Sequence, residues 1–483
     1  MSKERIEQYI DYSVFLYIFL FMLYGFVARI IPLYMYINEP INSYFFVFFA
    51  GTGCLLILVD IIDGRHLFKG KYCWILYAFI VVMVVSSLIN IQYGYIDNIK
   101  TVIWTTIQVA LFYSMYTRTS KEIMMKYMYI SFHLISWIWT LAVVYSLKQF
   151  VTMEAYGIEI YPGDWRRQGF RDNRLFGIFN DPNYAAVTCV YVVFMLLYIV
   201  QKTKKIWLKC VCVLACVTHG IYILLSGSRT AKICILVAFF VYIFLLLKNQ
   251  WAQDSISMSI LKRIGIGTIV VGFLIFAGII LGKVVVNIPS IYAEYVVTDA
   301  KEDVPSRNGA EEELELQRAQ NVLALDEQNM LDRQDTDGGT SNLRLKIWKN
   351  YLKGTEGCYI IGTSPRNVEK YIEANHPGVY ERSKWYETHN GFLSVFVGTG
   401  VVGLGFVLLF MILIGKKIVN YCFGKKPICL EFVTIFSVLI VILIYTCFFT
   451  ELFFVNNLTT TIFWSLLGSL MYWIDNVKEN SIK

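Results

Sequence analysis

The stretch Trp385-Tyr386-Glu387-Thr388-His389-Asn390-Gly391-Phe392-Leu393 carries the residue best suited to proton chemistry, because it joins a long polar segment to the apolar, glycine-spaced run Ser394 to Gly415. His389 is thereby expected at the boundary between water and bilayer, where an ionisable group is tolerated yet shielded. Imidazole exchanges a proton near neutral pH, so in that position it suits a general base that deprotonates a hydroxyl attacking a lipid-borne group. The same residues suit a plainer role, since asparagine is a good N-cap and Asn390 would start the helix that follows. A second candidate is the tight turn Ser226-Gly227-Ser228-Arg229-Thr230, which sets Arg229 against the bilayer. Arginine at membrane depth costs on the order of 3 kcal/mol on insertion scales, so it either snorkels to the interface or faces a polar cavity or partner. A guanidinium fork matches phosphate oxygens bidentately, and Ser226 and Ser228 would add hydroxyl donors near a helix start that itself favours an anion. Arg166, Arg167, Arg171 and Arg174 extend the expectation of an anion to residues 151–182.

The elements that must position these residues are membrane helices. The chain has 483 residues, 57% hydrophobic and 16% charged, with mean hydropathy +0.54; this is too apolar for a water-soluble domain of that size. A net charge of +7 does not point to nucleic acid, because the basic residues fall in short clusters between apolar runs. Of the 11 cysteines only Cys358 lies in the long polar segment, and none has zinc-ligand spacing. No cleavable signal peptide is expected at the first apolar run.

At roughly 20 apolar residues per span, the sequence predicts an all-α polytopic protein with about twelve transmembrane helices. They fall near 13–31, 43–62, 73–91, 99–116, 129–150, 183–200, 207–225, 230–247, 264–286, 391–414, 430–450 and 458–474. Lysine and arginine concentrate in alternate loops, including 63–72, 117–127, 201–209, 248–263 and 415–428. These are assigned to the cytoplasm together with both termini, which leaves 151–182, 226–229 and 287–390 outside. Three regions follow: a bundle of nine spans over 1–286, an extracytoplasmic loop domain over 287–390, and three more spans with a tail over 391–483.

The loop domain lies between spans 9 and 10 and begins with an acidic insertion, about 294–337, in which Glu311-Glu312-Glu313-Leu314-Glu315 opens an amphipathic helix. Its acids lack the spacing of a calcium loop. Asn342 to Leu352 places leucine, isoleucine and tryptophan at helical spacing, with Arg344 near the start, as in a helix lying on the membrane or on the bundle. Gly354, Gly357 and Gly362 mark turns beyond it.

Three short motifs, in this order on the expected outer face, resemble the O-antigen ligase and O-antigen polymerase superfamily of bacterial envelope enzymes: Ser226-Gly-Ser-Arg229-Thr-Ala, Arg344-Leu-Lys-Ile-Trp348, and His389-Asn390-Gly-Phe-Leu393 followed by Gly398, Gly400 and Gly403. The stretch from Arg174 to Asn183 is similar to a further family segment, and the many spans with a large late outer loop also match. The resemblance implies an undecaprenyl-diphosphate-linked glycan as donor, a glycan acceptor, Arg229 and Arg344 holding the diphosphate, and His389 as base. The acidic insertion departs from the pattern and lengthens the gap between the two arginines.

The residues themselves suit such chemistry. Lipid diphosphate is a leaving group whose developing charge arginines can meet without a metal or cofactor. Attack by an acceptor hydroxyl on the anomeric carbon then inverts configuration, and no carboxylate pair stands out for a covalent intermediate. Trp165, Trp348, Trp385 and Tyr386 suit stacking on sugar faces, as they also suit interfacial anchoring; Arg174, Asn183 and Asn390 complete the candidate substrate contacts. His66, His133, His219 and His376 lack a matching motif. The function expected is a metal-independent, inverting polymerase of lipid-linked repeat units in the bacterial cytoplasmic membrane, building a surface polysaccharide such as capsule, with a chain-length regulator as a possible kind of partner. A ligase moving the finished glycan to a lipid or protein acceptor is the alternative, and a flippase a third class. Richness in Ile, Lys, Asn, Tyr and Phe, common in AT-rich genomes of which many lack a ligase's lipid core, leans the reading to polymerase.

Overall fold

The structure is a computed structural model that describes residues 3–37, 39–62, 69–114, 119–250, 259–302, 310–323, 343–380, 387–424 and 428–476. In chain order the helices before the sheet are α1 (Lys3–Val27), the short α2 (Ile31–Tyr34), α3 (Ile41–Ile62), α4 (Cys73–Ile89), α5 (Ile96–Ile107), continued by a π-helical turn to Tyr113, and α6 (Lys121–Val151). Three strands follow, β1 (Ala155–Tyr161), β2 (Asp164–Arg171) and β3 (Arg174–Gly177), then α7 (Pro182–Lys202), α8 (Ile206–Leu225), α9 (Arg229–Gln250), α10 (Ile260–Val285), α11 (Ile288–Glu302) and α12 (Ala310–Leu323). The chain closes with α13 (Arg344–Gly354), α14 (Val368–Asn375), α15 (Pro377–Tyr380), α16 (Gly391–Phe423), α17 (Leu430–Thr446) and α18 (Leu458–Asn476).

Among the described residues eight helices are long and apolar enough to cross a membrane: α1, α3, α6, α7, α8, α9, α10 running on into α11, and α16. The apolar α4 and α17 are shorter, and of the stretches expected as spans near 99–116 and 458–474, residues 99–113 and 458–474 are helical without joining the eight. Helices are the form such segments take because lipid offers no partner to an open backbone group. Their hydroxyls follow the same rule: Thr105, Thr399, Ser437 and Thr446 each donate to the carbonyl four residues back.

Contacts divide the chain into two compact units. One comprises Met1–Phe26, Glu39–Tyr129 and Thr336–Lys483, the other Val27–Asn38 and Ile130–Asp335. In the first, the π-helical turn is wholly buried, and its Tyr113 meets Trp464 of α18 and Phe410 of α16 edge-on at 6.1 and 5.6 Å. Helix α16 is broken at Gly400, whose φ of 66° and ψ of −169° are non-helical. The chain at 359–363 lies in the break: Val401 N donates to Tyr359 O at 2.7 Å and Thr363 N to Val397 O at 2.9 Å. A Cβ at Gly400 would stand 2.1 Å from Ile360 O, and one at Gly362 2.4 Å from the Gly398 carbonyl carbon, so both positions require glycine. Ser86 of α4 closes the joint, donating to Gly398 O at 2.9 Å and accepting from Ser364 N at 3.0 Å. The glycine spacing read from the sequence is thus a place where a loop enters a helix.

In the second unit α7 is buried on all faces, as an apolar-all-round helix must be, whereas α10 leaves Ile269, Phe273, Phe276 and Ile279 exposed. The segment expected as a plain outer loop, 151–182, contains an antiparallel sheet of order β1-β2-β3, an addition to the all-α expectation. Its second turn, Asp172-Asn173, holds both residues near φ 55°, the left-handed pair of a two-residue hairpin turn. Helices α11 and α12 pair through Ala293 and Ala319, with Tyr292 hydrogen-bonded to Glu315; the rest of the acidic insertion, 303–309 and 324–337, lies outside the described residues.

Candidate functional site

The candidate residues fall into two clusters, one in each unit. In the first unit the site is built on the start of α16. Asn390 is the N-cap of that helix: its Oδ1 accepts from the backbone N–H of Phe392 and Leu393, each at 3.0 Å. The plainer role is therefore real for Asn390, and it leaves the histidine just outside the helix with φ 48°. Thr388, buried, ties the same corner to Ser394 and Thr450 through its hydroxyl.

Helix α13 lies beside this corner. Its apolar face, Ile347, Trp348 and Tyr351, packs with Ile372 against Leu393, Phe396 and Val397 of α16. Trp348 Nε1 donates to Thr388 O at 2.9 Å, so the tryptophan fixes the residue that precedes His389. Arg344, one turn earlier on that face, has its guanidinium 5.0 Å from the Phe449 ring centre and 5.8 Å from that of Phe448. His389 meets Phe449 as well, edge to face, at 6.0 Å. Phe449 is itself stacked on Tyr445 at 4.5 Å, which holds it as a wall. Trp385 and Tyr386 lie outside the described residues.

A further arginine stands nearby, and sequence reasoning passed over it. Arg366 donates through Nε to Thr101 Oγ1 at 3.2 Å and through Nη2 to Phe454 O at 2.6 Å, while its backbone N–H reaches Asn98 Oδ1 at 3.0 Å. Burial among these groups disfavours its charge, and the carboxylates of Glu387 and Asp97 oppose that effect. Glu387 also helps, after burial and Glu369, to push the Tyr351 hydroxyl well above its ordinary value. The carboxylate two residues before His389 thus faces both the loop of Arg366 and helix α13.

In the second unit the turn between α8 and α9 is made by its own side chains. Ser226 Oγ donates to Ile223 O at 2.8 Å and accepts from Ser228 N at 3.1 Å; Ser228 Oγ accepts from Ala231 N at 3.3 Å, capping α9. Both serines are fully buried, so the hydroxyls expected as anion donors are engaged in shaping the turn, while Arg229 behind them is exposed. Gly227, at φ 64°, lies under Arg174. Arg174 donates through Nε to Ser226 O and through Nη2 to Asn183 Oδ1, both at 2.8 Å. Asp181 caps α7 by accepting from Asn183 N and Tyr184 N. The structure thus brings Arg174, Asn183 and Ser226 together as a brace that presents Arg229. Arg166 and Arg167 pair with Asp164 and Asp172 of their own hairpin at 2.8 and 2.7 Å. His133 accepts from Trp137 and His219 contacts Thr140, both within the bundle.

Fold and site together define a multi-pass helical membrane protein with a histidine and exposed or aromatic-lined arginines at helix heads. Residues 210–408 match the family model described as O-antigen ligase. The motifs at 226–231, 344–348 and 389–393 all fall inside that match, so this part of the chain is similar to the O-antigen ligase and polymerase superfamily, whose members are membrane glycosyltransferase-like enzymes. A search of curated protein sequences finds no match for it.

Proposed function

We propose that this protein polymerises undecaprenyl-diphosphate-linked repeat units on the outer face of the bacterial cytoplasmic membrane, with His389 as general base and Arg344 and Arg229 holding the diphosphate. The observation that carries the reading is the pairing of a cation and an imidazole against one aromatic wall, Arg344 and His389 on Phe449, at the head of a membrane helix. A hydroxyl of the acceptor sugar gives its proton to His389 and its oxygen bonds to the anomeric carbon of the donor. The bond from that carbon to the diphosphate oxygen breaks on the opposite side, so the configuration inverts and the lipid diphosphate departs with its charge held by the guanidinium groups. Stacking of Arg344 on Phe448 and Phe449 orients the guanidinium and leaves its charge in place.

The test is conversion of a purified undecaprenyl-diphosphate-linked repeat unit into longer lipid-linked chains by the detergent-solubilised protein with EDTA present. Near-normal polymer from His389→Ala would end the histidine mechanism, and activity that stops with EDTA and returns with a divalent metal would end the metal-independent one. The matched description, O-antigen ligase, keeps a second reading in which the finished glycan passes to a lipid or protein acceptor; glycan on such an acceptor without longer lipid-linked chains would establish it. The outward assignment of 287–390 is tested by single cysteines in a background stripped of native thiols. Labelling by an impermeant reagent at 300–335 in intact cells supports it, and labelling at 63–72 or 415–428 reverses it.

A further inference from the structure

The second unit contains a cleft of about 960 Å³ between α8, α9 and α10. Its walls are apolar, formed by side chains such as Leu224, Ile235 and Leu274. Two glycines keep it hollow. A Cβ at Gly220 would meet nothing within 4 Å, and one at Gly278 only Leu224 Cδ2 at 3.9 Å, so neither serves a close helix contact. The stretch that lines it from α10 and its cap runs from Leu274 to Val286, about 18 Å at 1.5 Å per residue, or roughly half of a ~30 Å hydrocarbon core. The cleft is therefore one leaflet deep.

One end of it is cationic. Lys232, in the first turn of α9, and Lys283, in the last turn of α10, both line the cleft, and both are exposed. They share that end because α9 begins where α10 finishes. Arg229 starts α9 one turn before Lys232, so the cationic end of the cleft runs directly into the turn that presents Arg229. A leaflet-deep apolar slot closed at head-group depth by ammonium groups is complementary to a hydrocarbon chain with an anionic head.

We propose that this cleft holds the hydrocarbon chain of the polyprenyl diphosphate donor, with Lys232 and Lys283 meeting its head group on the way to Arg229. The inference rests on the donor class proposed above, and binding can be read separately from turnover. The full-length protein in nanodiscs is exposed to a polyprenyl diphosphate with a photoreactive chain, and the cross-linked peptides are mapped. Labels on α8 and α10 are expected, and Gly220→Phe or Gly278→Trp, each filling the hollow, should weaken labelling about tenfold, as loss of a few buried methylenes would. Lys232→Gln with Lys283→Gln should weaken it comparably, and excess phosphatidylglycerol should not displace the probe. Labels elsewhere, labelling indifferent to both filling variants, or displacement by phosphatidylglycerol would overturn the assignment. His389→Ala should label as the parent does. Cleft labelling by a protein that polymerises nothing would leave the chain site standing and remove the polymerase reading alone.

Discussion

Arg344 and His389 address the same ring from different elements: the guanidinium lies 5.0 Å from the centre of Phe449 and the imidazole meets it edge-on at 6.0 Å. The aromatic wall faces cation and base together, and Trp348 of α13 supports the pair by holding the Thr388 carbonyl beside the histidine. Replacing Phe449 with alanine is therefore expected to lower turnover roughly 5- to 10-fold, the equivalent of about one cation–π contact. The pH profile should keep its shape, because the base remains, and Phe449→Tyr should restore most of the rate. An alanine variant with full turnover would mean that the wall does not position the pair.

His389 must be neutral to accept a proton, so the rate should climb with pH through the histidine titration range and then level. His389→Ala should retain expression and donor binding but lose 10²–10⁴-fold in turnover, with the remaining activity lacking the ascending limb. A structural corner would behave differently: stability would fall by about 1 kcal/mol and the profile would persist.

Arg229→Lys and Arg344→Lys keep the charge and lose the fork, so each should reduce polymer formation by about tenfold or more with near-normal expression. Arg174→Lys is expected to act through the turn instead. Its two hydrogen bonds to Ser226 O and Asn183 Oδ1 brace Arg229, so its loss should lower thermal stability together with activity. Unchanged rates in both Arg229→Lys and Arg344→Lys would remove these residues from the diphosphate.

Gly400→Ala should sharply reduce the yield of folded protein, since its φ of 66° is costly for any other residue and its Cβ would overlap Ile360 O. Gly405→Ala and Gly415→Ala meet nothing within 4 Å and should unfold at or slightly above the parent temperature in detergent. Equal melting of all three would show that the break in α16 is not required.

The apolar helices were legible in the sequence because periodicity and length report burial in lipid directly, and α13 and the cap at Asn390 followed from local rules that held. The sheet at 155–177 was not. Its strands are short, and four arginines drew attention to anions, although Tyr161-Pro162-Gly163-Asp164 and Asp172-Asn173 are hairpin turns that period-two reading would have found. Helix α17 was extended to residue 450, but it stops at Thr446, and Cys447 and Phe448 close it with bonds three residues back. Phe449 thereby becomes a wall, which no hydropathy window distinguishes from more span. Arg366 was missed because its partners, Thr101 and Phe454, lie 265 and 88 residues away.

The joint at Ser86 has a consequence for the order in which the protein can be made. Its hydroxyl waits for Gly398 and Ser364, 312 and 278 residues further on, and Asn90 waits for Gly362, 272 residues further on. Asn90 also donates to Ser86 O one turn back, but the long-range partners of both residues are in place only when the loop at 359–364 and the two halves of α16 arrive together. A chain truncated before α16 would lack the Gly398 carbonyl that the Ser86 hydroxyl meets at the end of α4, so the cost of this polar group in the bilayer would stay uncompensated by the long-range contact.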